Sequence, residues 1–470
     1  HISYSKVSSD GKTLRPAYLV WDLKKLFPKL VVTEEEALLM TQRELTPGEG
    51  LEFVIRGVRD RYLGVDESWK ELYTWYRQNE GQKVDRILDA GFFKKKPDAL
   101  TGEEAAELYG EKKQFSVTRM ERFSACAYAH FLTYGLHLSD RERYEFEAMD
   151  LGNIAHQSME RFARKAQEKR MPWPKLEEVQ RDAMIEESVE ESIKDYGNTV
   201  LYSTARNEYM IVRIKQLIRR SVWALTRQME KGDFEPSGYE MNFGSGKIDR
   251  VDTCEDEDVV YVKVTDYKTG MKSFDIVALY HGLQMQLPVY LNAALELEER
   301  RASGKTVEPA GIFYYRIKDP IVDREKDDHA LEEKILKELR LDGMINAKEE
   351  VIEHLEHQLS GTSVLNPIGK NKDGSLNRYS KVLPPEAFAA MLSYTKKKEA
   401  QVKRQIYAGE VQANPYELNG STGCDYCAYR DICGFDPRLD GYAYRSLEKY
   451  SKEEVIRRME EEIENREEPS

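Results

Sequence analysis

The sequence predicts an α/β protein in which a mixed sheet sits inside a mostly helical surround. Three observations predict it. Helical periodicity fills 152–169, 175–196 and 204–228. The apolar period then drops to two over 239–244, 247–252 and 259–268, with an acidic turn at Glu255-Asp256-Glu257-Asp258. Helix resumes over 276–297, before a short apolar strand at 310–317. Strands linked by helical crossovers build such a core.

The chain has 470 residues, against a soft prior of about 150 per domain, so two or three units are expected. Residues 1–110 read as a separate unit. It starts extended over 1–19, turns at Ser9-Asp10-Gly11, and carries helical patterns over 34–43 and 67–79. Lys94-Lys95-Lys96-Pro97-Asp98 reads as a linker edge. The main unit is expected over 111–440. Its first long helix, 152–169, puts Ala155, Met159 and Phe162 on one face. Residues 360–380, rich in Gly, Asn, Ser and Lys, read as a mobile loop. A helix over 387–408 leads to a cysteine cluster. The remaining segment, 441–470, reads as an acidic helix with a solvated face over 452–468. There is no internal repeat.

Hydrophobic residues make up 40% and charged residues 33%, and mean hydropathy is −0.67. No run of 18 apolar residues occurs, so no membrane span is expected. Lys and Arg number 71 against 84 Asp and Glu, a net charge of −13. That balance excludes indiscriminate coating of nucleic acid while permitting a local basic channel. The helix over 204–228 carries Arg206, Arg213, Lys215, Arg219, Arg220 and Arg227. It could line a path for single-stranded DNA or present a solvated or partner-facing surface. The chain opens His-Ile-Ser-Tyr, without an initiator Met or an apolar leader, and is expected to be a piece of a longer protein.

The strongest chemical signal is Asp249 followed by Asp266-Tyr267-Lys268. Val260, Val262, Val264, Asp266 and Lys268 share one face of a strand, so an apolar face ends in an acid and a lysine. With Asp249 on the preceding strand, two carboxylates form a hard oxygen site suited to Mg²⁺. Lys268 can then assist the water that attacks phosphorus. On spacing alone, a surface Asp–Lys pair closing a hairpin fits equally well. His156 and Glu160 lie one turn apart on a helix, and so do Gln286 and Tyr290. Each pair by itself reads as packing or surface.

The order His156, Asp249, Asp266-x-Lys268, Gln286-x3-Tyr290 resembles the RecB-family branch of the PD-(D/E)xK nuclease superfamily. The resemblance implies a restriction-endonuclease-like nuclease core. In it Asp249 and Asp266 bind Mg²⁺ with His156 as a third ligand, Lys268 assists the attacking water, and Gln286 and Tyr290 position the substrate backbone.

Five cysteines are too few for a disulfide framework and point to a reducing compartment. Cys424, Cys427 and Cys433 crowd together, and Cys126 lies ahead of the strands. Four thiolates could hold zinc or a [4Fe–4S] cluster, and local chemistry does not separate them. One distant cysteine plus a C-terminal trio resembles the iron–sulfur staple of AddAB- and AdnAB-type nucleases. Cys254 is expected to be a bystander. Phe115 to Cys126 and Ser5 to Pro16 extend the likeness to the C-terminal portion of an AddAB-type subunit, with 1–110 as the remnant of a degenerate helicase-like domain.

The resemblance implies a bacterial, cytoplasmic DNA exonuclease or single-strand nuclease. It would resect double-strand breaks for recombinational repair as a heterodimer with an AddA-type helicase–nuclease subunit, acting on broken duplex ends and single strands. No G-x4-G-K-[ST] occurs, and Gly244-Ser-Gly-Lys247 is too short, so helicase ATPase chemistry is not assigned to this segment. The alternatives are a stand-alone CRISPR-associated RecB-like nuclease, a catalytically silent DNA-binding subunit, and a zinc-stapled scaffold.

Overall fold

The computed structural model describes all residues except 1–2, 8–11, 33–45, 61–66, 93–98, 111–114, 140–145, 147, 197–198, 203, 245, 303, 326, 440 and 465–470. The Ser9–Gly11 turn, the helix at 34–43 and the linker edge Lys94–Asp98 thus lie outside the described residues. Two compact units divide between Lys95 and Lys96. The first holds helices α1 (Tyr18–Leu26), α2 (Pro47–Asp60), α3 (Trp69–Asn79) and α4 (Gly81–Gly91). Its small core is Val54, Tyr76 and Val84.

The second unit begins earlier than residue 111, because helix α5 (Gly102–Tyr109) belongs to it. Thr101 and Glu104 form a reciprocal cap on α5, and Ala105 and Tyr109 join the core of this unit. Next come α6 (Val117–Ala125), the short α7 (Ala127–His130) running into a π turn, and the three long helices α8 (Ala148–Glu168), α9 (Glu178–Asp195) and α10 (Ala205–Met229). Thr204 caps α10 by accepting the Asn207 N–H.

The sheet has six strands in sequential order. β1 (Glu235–Phe243), β2 (Gly246–Glu255) and β3 (Val259–Lys268) form an antiparallel meander. Helices α11 (Ile276–Tyr280) and α12 (Gln286–Glu299) cross over to β4 (Thr306–Arg316), which runs parallel to β3. After α13 (Asp328–Glu338), β5 (Asp342–Asn346) pairs antiparallel with β4. Helix α14 (Glu349–Leu355) follows, and β6 (Val382–Leu383) closes the sheet parallel to β5. Then come α15 (Pro385–Tyr407), β7 (Tyr416–Leu418), β8 (Ser421–Thr422), α16 (Arg430–Cys433), β9 (Arg445–Ser446) and α17 (Lys452–Glu464). β7, β8 and β9 form a separate small sheet.

Both faces of the main sheet are covered, as a parallel β3–β4 centre requires. One core gathers Ile154, Met159 and Phe162 of α8, Ile185 of α9 and Ile218 of α10 against Tyr261 and Tyr267 of β3. The other gathers Met120 of α6, Leu287 and Leu291 of α12 and Phe388 of α15 against Val260, Val262 and Val264. The period-two alternation of β3 therefore splits its side chains between two cores.

Two expectations need correction. The single helix over 276–297 is two helices. Gly282 sits at φ +79° between them, where a side chain would meet Ser124. The 360–380 loop is a packed structure: Leu365 and Ile368 are buried, and Ser380 and Asn377 tie it to Gly369. The acidic C-terminal helix has Val455 and Met459 buried in the second core, on the side away from its exposed acidic residues.

Candidate active site

β2 and β3 pair from Glu255–Val260 to Arg250–Thr265. Beyond that point a side chain takes over the pairing: Asp249 Oδ2 accepts the Tyr267 N–H at 2.7 Å. The same oxygen lies 3.2 Å from Nδ1 of His156, on α8. Burial works against a charged His156, but the hydrogen bond and charge of Asp249, with Asp266 behind them, hold its pKa above the ordinary histidine value. The expected partner Glu160 faces Arg164 instead, at 2.6 Å.

Asp266 is 1% exposed at the end of β3. Its Oδ1 accepts the Gln286 amide at 2.8 Å. Its Oδ2 lies against the Lys268 ammonium and has no other partner. Burial first, then the charge of Asp249, push its carboxyl up to about 7 against the pull of Lys268 and His156. Gln286 also donates to Tyr290 Oη at 2.9 Å, joining the two residues of the Q-x3-Y pair. His156, Asp249, Asp266, Lys268, Gln286 and Tyr290 thus converge at one end of the hairpin.

Two carboxylates escaped the sequence reading. Glu240, on β1, has a carboxylate oxygen within 4.8 Å of the ligand atoms offered by His156 and Asp249. Its backbone sits at φ +46°, a strained conformation for a glutamate and of a kind that clusters at functional sites. Lys247 holds it at 2.6 Å. Alternation along β1 gave no hint of this turn toward the site. Glu121, on α6, accepts the N–H groups of Met285 at 2.7 Å and Gln286 at 3.0 Å, and so caps the start of α12. The signal for that start was present: Pro288 is tolerated in a first helical turn but not in an interior.

A nitrogen and carboxylate oxygens gathered at a buried strand end, with one orphaned carboxylate oxygen beside a lysine, suit a hard divalent cation. The family model described as "PD-(D/E)XK nuclease superfamily" matches residues 114–434. The chain belongs to that superfamily.

The PD-(D/E)XK match takes in every residue of the site and the four clustered cysteines. Over nearly its whole length the chain is also similar to proteins named as the B subunit of an ATP-dependent helicase/deoxyribonuclease. It is 36% identical to that of Lachnoclostridium phytofermentans, over 97% of this chain and 41% of that protein. For Alkaliphilus oremlandii the identity is 32%, over 99% and 43%. For Alkaliphilus metalliredigens it is 31%, over 98% and 43%. The chain therefore spans about two fifths of the length of these curated relatives.

All five cysteines of this PD-(D/E)XK chain are free thiols. Cys126, between α6 and α7, packs with Cys427 and Tyr429 in a small cluster. Burial raises the Cys424 thiol, and Cys126, Cys433 and Cys427 add to the rise as near neighbours. Hydrogen bonds stitch the two ends of the chain together here. Ala127 N–H donates to Asn414 Oδ1 at 2.9 Å, and Tyr128 N–H to the Gln412 carbonyl at 2.9 Å. Tyr429 donates to the Leu138 carbonyl at 2.7 Å. The Phe435 N–H points at Cys433 Sγ at 3.4 Å, a contact of the kind that tunes cluster sulfurs. One distant thiol meeting a local trio of free thiols is a donor set that suits a metal cluster. Cys254 lies elsewhere, on β2.

The basic face of α10 is largely paired with acids. Lys215 meets Glu190, Arg219 meets Glu186 and Asp182, Arg213 and Arg220 meet Asp319, and Arg227 meets Glu230. This favours a solvated or partner-facing surface over a DNA path. Among the described residues, no helix is long and apolar enough to cross a membrane.

Proposed function

We propose that the chain is the nuclease portion of a helicase–nuclease, a Mg²⁺-dependent deoxyribonuclease acting on broken duplex ends. An AddA-type partner would deliver the strand, in the cytoplasm, during resection for recombinational repair. The observation that carries this reading is the meeting of His156–Asp249 with Lys268–Asp266–Gln286 at one end of the β2–β3 hairpin. The names of the relatives support the wider setting.

Asp249, Asp266 and His156 would hold the Mg²⁺, with Glu240 as a further carboxylate beside them. Bound Mg²⁺ supplies Lewis-acid polarisation of the phosphate and a lowered pKa for water. Lys268 has a side chain 25% exposed, so it can reach the substrate and neutralise charge that builds in the transition state. Gln286 and Tyr290 orient Asp266 and line the approach of the DNA backbone. Cys126, Cys424, Cys427 and Cys433 would hold a [4Fe–4S] cluster that ties the end of the domain to its beginning. The first unit, up to Lys95, would be the helicase-like remnant, and 441–470 a C-terminal brace.

Asp266→Ala tests the reading. With Mg²⁺ saturating, cleavage of single-stranded DNA should fall at least about a hundredfold, with DNA affinity retained. Near-normal cleavage would eliminate the site.

A further inference from the structure

A second group of metal-ligand side chains lies at the other end of the same hairpin. Asp233, Cys254 and His354 offer ligand atoms within 4.8 Å of one another. They come from three places: the corner between α10 and β1, the end of β2, and the last turn of α14. Cys254 lies five residues along β2 from Asp249, about 17 Å at strand rise, so this group is separate from the nuclease site.

The surroundings make it a built site. His354 Nδ1 is 2.8 Å from Asp233 Oδ2, and His357 Nε2 is 2.9 Å from Asp233 Oδ1. His354 Nε2 lies 3.8 Å from Asp256 Oδ2, in the β2–β3 turn. Cys254 is 4% exposed beneath them. The backbones are locked as well. Asp233 N–H donates to the His354 carbonyl at 2.9 Å, and His357 N–H to the Lys231 carbonyl at 2.8 Å. Gly232 lies so close that a Cβ there would stand 2.4 Å from the His354 oxygen.

We propose that Cys254, His354 and Asp233, completed by His357, form a structural zinc site that pins α14 to the β2–β3 hairpin. Mixed sulfur, imidazole and carboxylate donors select zinc over Mg²⁺ or Ca²⁺. A tetrahedral ion needs its ligand atoms about 3.3–3.8 Å apart, from its usual bond lengths, so the three atoms within 4.8 Å must draw together and His357 must turn in from Asp233 to complete the set. Imidazole–carboxylate pairing alone would account for the two histidines and Asp233. Core packing would account for the burial of Cys254, but not for its Sγ lying within 4.8 Å of both partners.

The test is zinc titration of the chelator-washed chain, with its four-cysteine site filled, beside Cys254→Ser and His354→Gln. The wild type should take up one zinc equivalent more than either variant and melt at higher temperature once zinc is added. That difference is the same whichever group fills the four-cysteine site. Equal stoichiometry in wild type and variants would overturn the proposal. Should the variants not fold, Co²⁺ added to the wild type must give a thiolate-to-cobalt charge-transfer band with tetrahedral ligand-field bands. Their absence would equally overturn it.

Discussion

The amide of Gln286 stands 2.8 Å from Asp266 Oδ1, bridging the first turn of α12 to the end of β3. It occupies Oδ1 and so leaves Oδ2, beside the Lys268 ammonium, as the carboxylate oxygen open to a cation. Gln286→Ala should therefore cost about ten- to a hundredfold in cleavage, as losses of partners to metal ligands do. A higher Mg²⁺ requirement should accompany the loss. Steady-state cleavage across a Mg²⁺ series measures both, and an unchanged Mg²⁺ dependence would leave Gln286 a packing residue.

Burial and the Asp249 charge raise the Asp266 carboxyl to about 7. A cation must displace its proton below that pH, and must displace the proton of His156 as well wherever that ligand is charged. Mg²⁺ affinity should then climb on the acid side of 7, by up to about tenfold per pH unit for each proton released, and level off only once both groups have lost theirs. Calorimetric titrations in buffers of different ionisation enthalpy would count the protons. A flat affinity across this range contradicts the assignment of Asp266 as a ligand.

Much of the sheet was legible because β3 obeys period two without interruption: the span 259–268 is the strand observed. The D-x-K strand end was legible for the same local reason. Glu240 was not, because its approach to His156 depends on a positive φ that no alternation encodes. Glu121 was hidden by distance, since its partners lie 164 and 165 positions away. The docking of the C-terminal helix was not legible, because few apolar residues, Val455 and Met459 among them, seat an otherwise charged segment. Apolar character over 276–297 masked the break between α11 and α12, although Gly282 and Pro288 both marked it.

The cysteine cluster should act as a staple. Cys424 follows Cys126 by 298 positions, and cross-linking so long a loop restrains the unfolded chain. Substituting Cys126, Cys424, Cys427 or Cys433 by Ala should bleach the anaerobically purified protein, admit protease at the Cys126 segment and weaken binding to DNA ends. The hydrogen bonds from Ala127, Tyr128 and Tyr429 remain, so the domain loosens rather than unfolds. Cys254→Ala should keep its brown colour. A colourless Cys126→Ala protein with wild-type protease resistance would sink the staple.

Glu121 gives the sharpest test of how the site is held. Burial raises its carboxyl, opposed by Lys272 and then by the N–H groups of Gln286 and Met285 that it accepts. Both bonds fall on the N-terminus of α12, where a carboxylate also meets the positive end of the helix dipole. Glu121→Ala leaves two N–H groups without their acceptor, at roughly 1–3 kcal/mol each. The melting temperature should fall. Because the first turn of α12 carries Gln286, that contact with Asp266 should be disturbed too. Cleavage measured well below the melting transition should therefore show a reduced kcat with little change in KM. Glu121→Gln keeps an acceptor oxygen of the same reach and should recover most of both properties. If Glu121→Ala lowers the melting temperature but retains wild-type kcat at low temperature, Glu121 supports the fold and does not position Gln286.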